Sequence, residues 1–282
     1  MVSTSADTPT DTPEVGLTID AGGVLTNYHD FGEGAPVVLL HGSGPGVSAW
    51  ANWRLNIPAL AERFRVLAPD LLGFGFTERP AHCRYDLPTW RTHLVAFLDA
   101  LDLERVSLIG NSFGGALAID LATRLPDRVN RLVLMGSGGL SFPLTEGLNE
   151  VWGYEPSIEN MRRILEIMAY DSTLVSDELA ELRYRASIVP GTQEAFSSMF
   201  PAPRQDGIEA ISTPEQSIRG ILHEVLIVHG RGDRVLPVNV AYRLLDLIEN
   251  SQLHVFGRSG HWTQIEQCDR FNRLAIEFLA EA

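Results

Sequence analysis

Lysine is missing from this sequence: all 22 basic residues among its 282 are arginine. That absence excludes a Schiff-base lysine, a pyridoxal-phosphate lysine and the lysine of a phosphate-binding P-loop. Cysteine is scarce as well. Cys83 and Cys268 stand far apart and match no metal-binding or CxxC spacing. They build neither a disulfide framework nor a zinc site, so a reducing cytoplasm is the expected home. Positive charge is outnumbered, 22 basic residues against 36 acidic, which leaves a net charge of −14. A surface of that sign repels nucleic acid and anionic membranes, and neither is expected as a partner. An anionic small molecule is not excluded, because one arginine can reverse the field inside a pocket. No apolar run approaches the roughly 20 residues of a membrane-spanning helix. The first fourteen residues, polar and without a basic or apolar segment, read as a disordered tail and not as a signal peptide.

What is present is an alternation. Val15 to Phe31 has the pattern of a hairpin turning at Ala21-Gly22-Gly23. Short apolar runs follow at Pro36–Leu40, Arg65–Pro69, Val106–Gly110 and Arg131–Met135, with helical patterns between them at about 50–63, 86–101 and 113–125. A last pair of runs, Glu224–His229 and Gln252–Phe256, brackets a helical stretch at 238–249. Strands alternating with helices predict an α/β fold: a mostly parallel, eight-stranded sheet covered by helices on both faces. The region 143–210 differs, with helical stretches at 157–169 and 176–187, prolines at 143, 156, 190, 201 and 203, and no buried strand. It reads as a helical cap inserted into a core made of 15–142 and 211–282, lying over the strand ends where open α/β sheets bind ligands.

The strongest local signal is Gly110-Asn111-Ser112-Phe113-Gly114, a Gly-x-Ser-x-Gly between an apolar strand and a helix. Small residues on both sides of Ser112 permit the tight turn that lifts a nucleophilic hydroxyl above a sheet, with the positive end of a helix beneath it. The plain alternative is a glycine-rich helix start with an N-cap serine. Upstream, the strand at 37–40 runs into His41-Gly42-Ser43-Gly44-Pro45-Gly46. Such a loop can turn N–H groups toward a developing oxyanion. The N–H groups of Ser43 and of Phe113, the residue after the nucleophile, are assigned to that hole; a phosphate loop would need the lysine that is absent. The acid and base should follow in the order Ser, Asp, His. Asp233 stands on the loop after the strand at 225–228, and His261 on the loop after the strand at 253–256. One helix and one strand fit between them, so both loops emerge on one edge. Of the other seven histidines, His41 and His229 sit beside glycine at strand ends, His254 lies inside a strand, and His29, His82, His93 and His223 have no carboxylate or cysteine at ligand spacing; no metal is expected.

Four stretches, His41-Gly-Ser-Gly-Pro-Gly46, Gly110-Asn-Ser-Phe-Gly-Gly115, Leu182-Arg-Tyr-Arg-Ala-Ser187 and Gly260-His-Trp-Thr-Gln-Ile-Glu266, closely resemble the meta-cleavage-product hydrolases of bacterial aromatic catabolism. These are α/β-hydrolases that cleave a carbon–carbon bond in 2-hydroxy-6-oxohexa-2,4-dienoates, and the likeness, running from about Ala21 to the C-terminus, is to the branch acting on monocyclic products. The resemblance implies Ser112, Asp233 and His261 as a triad, no cofactor, an anionic dienoate as substrate and a homo-oligomer. It implies a polar end of the pocket at Arg183, Asn52, Asn111, Gly44 and Trp262. Gly138, Leu148, Trp152, Ile208 and Leu236 match positions around the 6-substituent, with Gly138 smaller than the alanine expected there. Local chemistry supports Arg183: its neighbours three and four positions away, Leu179, Ala180, Ala186 and Ser187, include no acid, whereas Arg185 has Glu181; the plain alternative is a structural salt bridge to a distant residue.

The same triad would serve an ordinary carboxylesterase or a cofactorless haloperoxidase-like side reaction, and the fold can also serve as a non-catalytic receptor. Dehalogenases and epoxide hydrolases place aspartate where Ser112 stands. Only a carboxylate-bearing substrate asks for a cation in the pocket.

Overall fold

A computed structural model describes residues 12–281. Its centre is one eight-stranded sheet in the order β1-β2-β4-β3-β5-β6-β7-β8. The strands are β1 (Leu17–Asp20), β2 (Leu25–Phe31), β3 (Pro36–Leu40), β4 (Arg65–Pro69), β5 (Val106–Asn111), β6 (Val129–Met135), β7 (Val225–Gly230) and β8 (Ser251–Phe256). The first two run antiparallel, and β2 pairs antiparallel with β4; every other pairing is parallel. All six residues of β5 and of β7 are buried. Fully buried, mostly apolar runs of this kind are what central parallel strands need, since helices cover both of their faces.

Two apolar layers flank the sheet. On one side Trp53, Leu60, Phe271 and Phe278 pack against β3, β4 and β6. On the other lie Trp90, Phe97 and Leu117, and this larger layer continues without a break into the helices between β6 and β7. The helix Phe113–Arg124 is buried from Phe113 through Ala122, because it is wedged between sheet and helix Leu87–Ala100.

The pattern at 50–63 resolves into two short helices, Ala49–Trp53 and Ile57–Ala61, and not one. Pro58 explains the restart, since proline is accepted in a first helical turn and breaks an interior one. Between β6 and β7 the chain forms six helices, among them Glu146–Trp152, Ile158–Met168, Asp177–Ser187, Thr192–Met199 and Gln205–Ala210. Thr145, Ser157 and Ser176 each accept the N–H three residues on, a side-chain cap that starts three of these helices. A backbone bond from Thr213 N to the Gly139 carbonyl, 2.9 Å, closes the neck of the excursion.

Most of the predicted tail lies outside the described residues. Residues 12–14 do not, and Glu14 is packed: Asn27 Nδ2 donates to its carbonyl and Ser48 Oγ to its carboxylate. Glu14, assigned to the tail, is therefore part of the fold. Among the described residues no helix is long and apolar enough to cross a membrane.

Candidate active site

The loops after β3, β5, β7 and β8 all leave the carboxyl edge of the sheet. After β3 the chain passes to β4 on one side and then to β5 on the other, so β3 and β5 flank the point where strand order reverses. Crevices form at such points. Ser112 sits there, between β5 and its helix, with φ 54° and ψ −114°. A non-glycine residue at positive φ is strained, and the strain is held by the surroundings: Ser112 N donates to Met135 O at 3.0 Å, and Gly115 N and Gly138 N both donate to Ser112 O at 3.0 Å. Any side chain at Gly114 would overlap the Leu40 carbonyl, so the close approach of helix to β3 requires glycine.

His261 Nδ1 lies 2.7 Å from Asp233 Oδ2. The other oxygen of Asp233 accepts Val235 N at 2.8 Å and Leu236 N at 2.9 Å. The carboxylate is fully buried. Burial pushes its pKa up, but the adjacent His261, the hydrogen bonds and His229 outweigh it, and the net shift is downward. A charged acid then holds the imidazole with Nδ1–H toward Asp233 and Nε2 free to act as base. Ser112 and His261 line the same cavity. Phe113 opens its helix, so its N–H has no intrahelical acceptor.

Two chambers meet at Ser112 and Ser43. The larger is lined at its polar end by Gly44, Asn52, Asn111, Arg183 and Trp262. Arg183 Nη2 donates to Gly46 O at 2.6 Å, while its Nη1, like Asn52 Nδ2, is buried with no hydrogen-bond partner among the described residues. The nearest carboxylate is Glu14, 3.9 Å from Nη1. Burial lowers the Arg183 pKa, with Glu14 opposing, yet a guanidinium stays charged in proteins. The chamber thus presents a cation and two unpaired N–H donors, an arrangement suited to a carboxylate. The second, smaller chamber is bounded by Phe113, Gly138, Leu148, Trp152, Ile208 and Leu236. Trp152 stacks flat on Phe200, 4.1 Å between centroids, and its Nε1 donates to Ser43 Oγ at 3.1 Å.

Every residue singled out from the sequence lies at one of these chambers, or, for Asp233, directly behind His261. Missed were Met161, Ile164, Leu165 and Met168, which wall the larger chamber from helix Ile158–Met168. Their spacing of three, one and three residues marks one apolar helix face, a signal that was present but did not say what the face covers.

Among known proteins, the model of the alpha/beta hydrolase fold matches residues 35–267. The chain is 61% identical to a 2-hydroxy-6-oxo-2,4-heptadienoate hydrolase of Pseudomonas putida over 95% of this chain and 97% of that one. It is 56% identical to a 2-hydroxymuconate semialdehyde hydrolase of Pseudomonas sp. strain CF600 over 97% of each. The solved meta-cleavage product hydrolase from Pseudomonas fluorescens IP01, a mutant complexed with acetates, is 59% identical and superposes with a TM-score of 0.94 over 95% of this chain and 98% of that one.

Proposed function

Because the chain belongs to the meta-cleavage-product hydrolases of the alpha/beta hydrolase fold family, we propose that it cleaves the C5–C6 bond of 2-hydroxy-6-oxohexa-2,4-dienoates. The products are 2-hydroxypenta-2,4-dienoate and a carboxylic acid. The observation that carries this reading is the buried Arg183 guanidinium, whose Nη1 makes no hydrogen bond among the described residues and only a 3.9 Å ion pair with Glu14, in the chamber that also contains Ser112. A simple ester has no charge for it to meet.

Ser112, Asp233 and His261 form the triad, and the substrate spans both chambers. Its carboxylate and 2-oxygen lie at Arg183, Asn52 and Asn111, beside Gly44 and Trp262, and its 6-substituent fills the recess beside Gly138 and Trp152. The dienol first becomes the keto tautomer by losing its 2-hydroxyl proton and gaining one at C5, with His261 and the polar end assisting. His261 then takes the Ser112 proton as Oγ adds to the C6 carbonyl. The N–H groups of Ser43 and Phe113 hold the oxyanion, each worth roughly 10²–10³ in rate. Collapse breaks C5–C6, the electron pair of that bond passes along the chain to the 2-oxygen, and the departing dienolate takes the imidazolium proton on that oxygen. Water activated by His261 then hydrolyses the acyl-serine. No cofactor enters this sequence.

The likeness to hydrolases of heptadienoate and muconate semialdehyde products supports hydrogen or a small alkyl group at C6 over phenyl. A cytoplasmic homo-oligomer, at least a dimer, completes the reading.

Stopped-flow absorbance of the yellow ring-cleavage products of 3-methylcatechol and 2,3-dihydroxybiphenyl tests it. Wild type should bleach the first faster, Ser112→Ala should abolish bleaching, and Arg183→Ala should raise KM strongly. An enzyme that bleaches neither product but cleaves p-nitrophenyl acetate is an esterase, and the proposal is then wrong.

A further inference from the structure

Glu266 closes the fourth of the sequence stretches quoted above, five residues after His261, and the reaction as described makes no use of it. Its carboxylate is surrounded by donors. Oε1 accepts Tyr170 N at 2.7 Å and Asp171 N at 3.0 Å. Oε2 accepts Gly260 N at 2.5 Å and Ser259 Oγ at 3.3 Å. Among the described residues it enters no ion pair. One oxygen therefore binds the stretch that follows helix Ile158–Met168, and the other binds the loop carrying the general base.

The two segments are also in direct backbone contact. His261 N donates to Met168 O at 2.8 Å and Trp262 N to the same carbonyl at 3.3 Å. A Cβ at Gly260 would stand 2.7 Å from both Met168 O and Tyr170 N, so only glycine lets them meet. From the opposite side Arg234, next to the triad acid, donates Nη2 to Ala169 O at 3.0 Å and to Glu166 O. The strand of chain at 168–171 is thus gripped between the Asp233 loop and the His261 loop. Met168, at its start, also lines the larger chamber.

We infer that Glu266 is a positioning residue for the reaction, locking the 168–171 segment to the His261 loop so that the base and the chamber wall are set by one carboxylate. Hydrogen bonds to a charged acceptor are about twice as strong as neutral ones, and four converge here. An amide in its place can accept but turns its own N–H groups toward donors. The His261 backbone would lose a fixed support, and an error of about 1 Å in a catalytic group costs on the order of 100-fold in rate.

The inference rests on Ser112 and His261 being the reacting pair, so its test reads that pair without a dienoate. Glu266→Gln and Arg234→Gln are compared with wild type by thermal melting, circular dichroism, the rate of Ser112 labelling by a fluorophosphonate, and kcat and KM for the 3-methylcatechol product. Expected for Glu266→Gln is a wild-type fold with labelling slowed about tenfold or more and kcat reduced in parallel, KM changing less than about threefold. Arg234→Gln, which loosens the other side of the segment, should slow labelling by a smaller factor. Labelling at the wild-type rate by folded Glu266→Gln overturns the inference, and so does a lowered melting temperature as its sole effect. Should Glu266→Gln fail to fold, Arg234→Gln decides: slowed labelling supports the clamp, an unchanged rate refutes it. Wild type that labels normally yet leaves the dienoate intact refutes the substrate and leaves the clamp to be judged on labelling.

Discussion

His229 and Asp233 lie 3.5 Å apart, Nε2 to Oδ2, with neither side chain open to solvent. The same imidazole nitrogen is 3.0 Å from the Leu236 carbonyl, which only accepts, so Nε2 carries the proton. Burial lowers the His229 pKa despite Asp233 beside it, and the ring stays neutral. Asp233 is therefore ringed by N–H donors: His261, Val235, Leu236 and, more distantly, His229.

That ring predicts the result of Asp233→Asn. The amide can still accept from Val235 and Leu236, so folding should survive. Its NH2 would face His261 Nδ1 and force the proton onto Nε2, removing the base. Turnover should fall about 10⁴-fold while substrate still binds. Single-turnover kinetics with parallel binding titration measures both; a fall of less than tenfold would mean that another group orients His261.

Two buried histidines set a pH dependence of stability. Burial drives His41 and His93 from 6.5 to about 4. Below pH 6.5 the unfolded chain takes up protons that these folded rings refuse, so their contribution, present above 6.5, is lost as pH falls toward 4. Each is worth about 3 kcal/mol over that interval. Asp70 acts in the opposite sense, because burial raises it from 3.8 to about 7 against its hydrogen bonds to Phe76, Ala49 and Asn27. It offsets roughly one of the two. Urea denaturation midpoints should therefore decline from pH 6.5 to 4.5, and Asp70→Asn should steepen that decline.

Gly138 does not need to be glycine. A Cβ there would sit 3.5 Å from Ser112 O and 3.6 Å from the Ala116 methyl, ordinary contact distances, and its φ is not in the left-handed region. Gly138→Ala should fold and gain about 0.4–1 kcal/mol from reduced freedom of the unfolded chain. The added methyl narrows the recess, so kcat/KM should drop more for a propyl or phenyl 6-substituent than for methyl. Equal effects on all three would remove Gly138 from the specificity pocket.

How much could be read beforehand depended on the range of the interaction. Strands β3 and β4 were legible to the residue, because a continuous apolar run bounded by loop residues has one sensible use in an α/β chain. The positions of Ser112, Asp233 and His261 followed from the strand ends they sit on. The two helices at 49–61 were less legible, since apolar periodicity passes unbroken over Pro58. Arg183 was recognisable by what its own helix lacks, but its real neighbours are the Gly46 carbonyl, 137 residues earlier, and Glu14 in the supposed tail. Nothing local marks the role of Glu266, because Tyr170 and Asp171 are 96 and 95 residues away in the chain. Local patterns name the residue; only the folded chain names its partner.

The positive φ of Ser112 has an energetic side. A serine held at φ 54° and ψ −114° gives up about 1–3 kcal/mol relative to relaxed backbone, and alanine in its place would give up as much. Glycine would not. Ser112→Gly should thus unfold at higher urea than Ser112→Ala, though both are inert, after allowing for glycine's larger unfolded-state entropy. The chain spends conformational stability at the residue proposed as its nucleophile, and a version freed of that strain would be sturdier and unable to react.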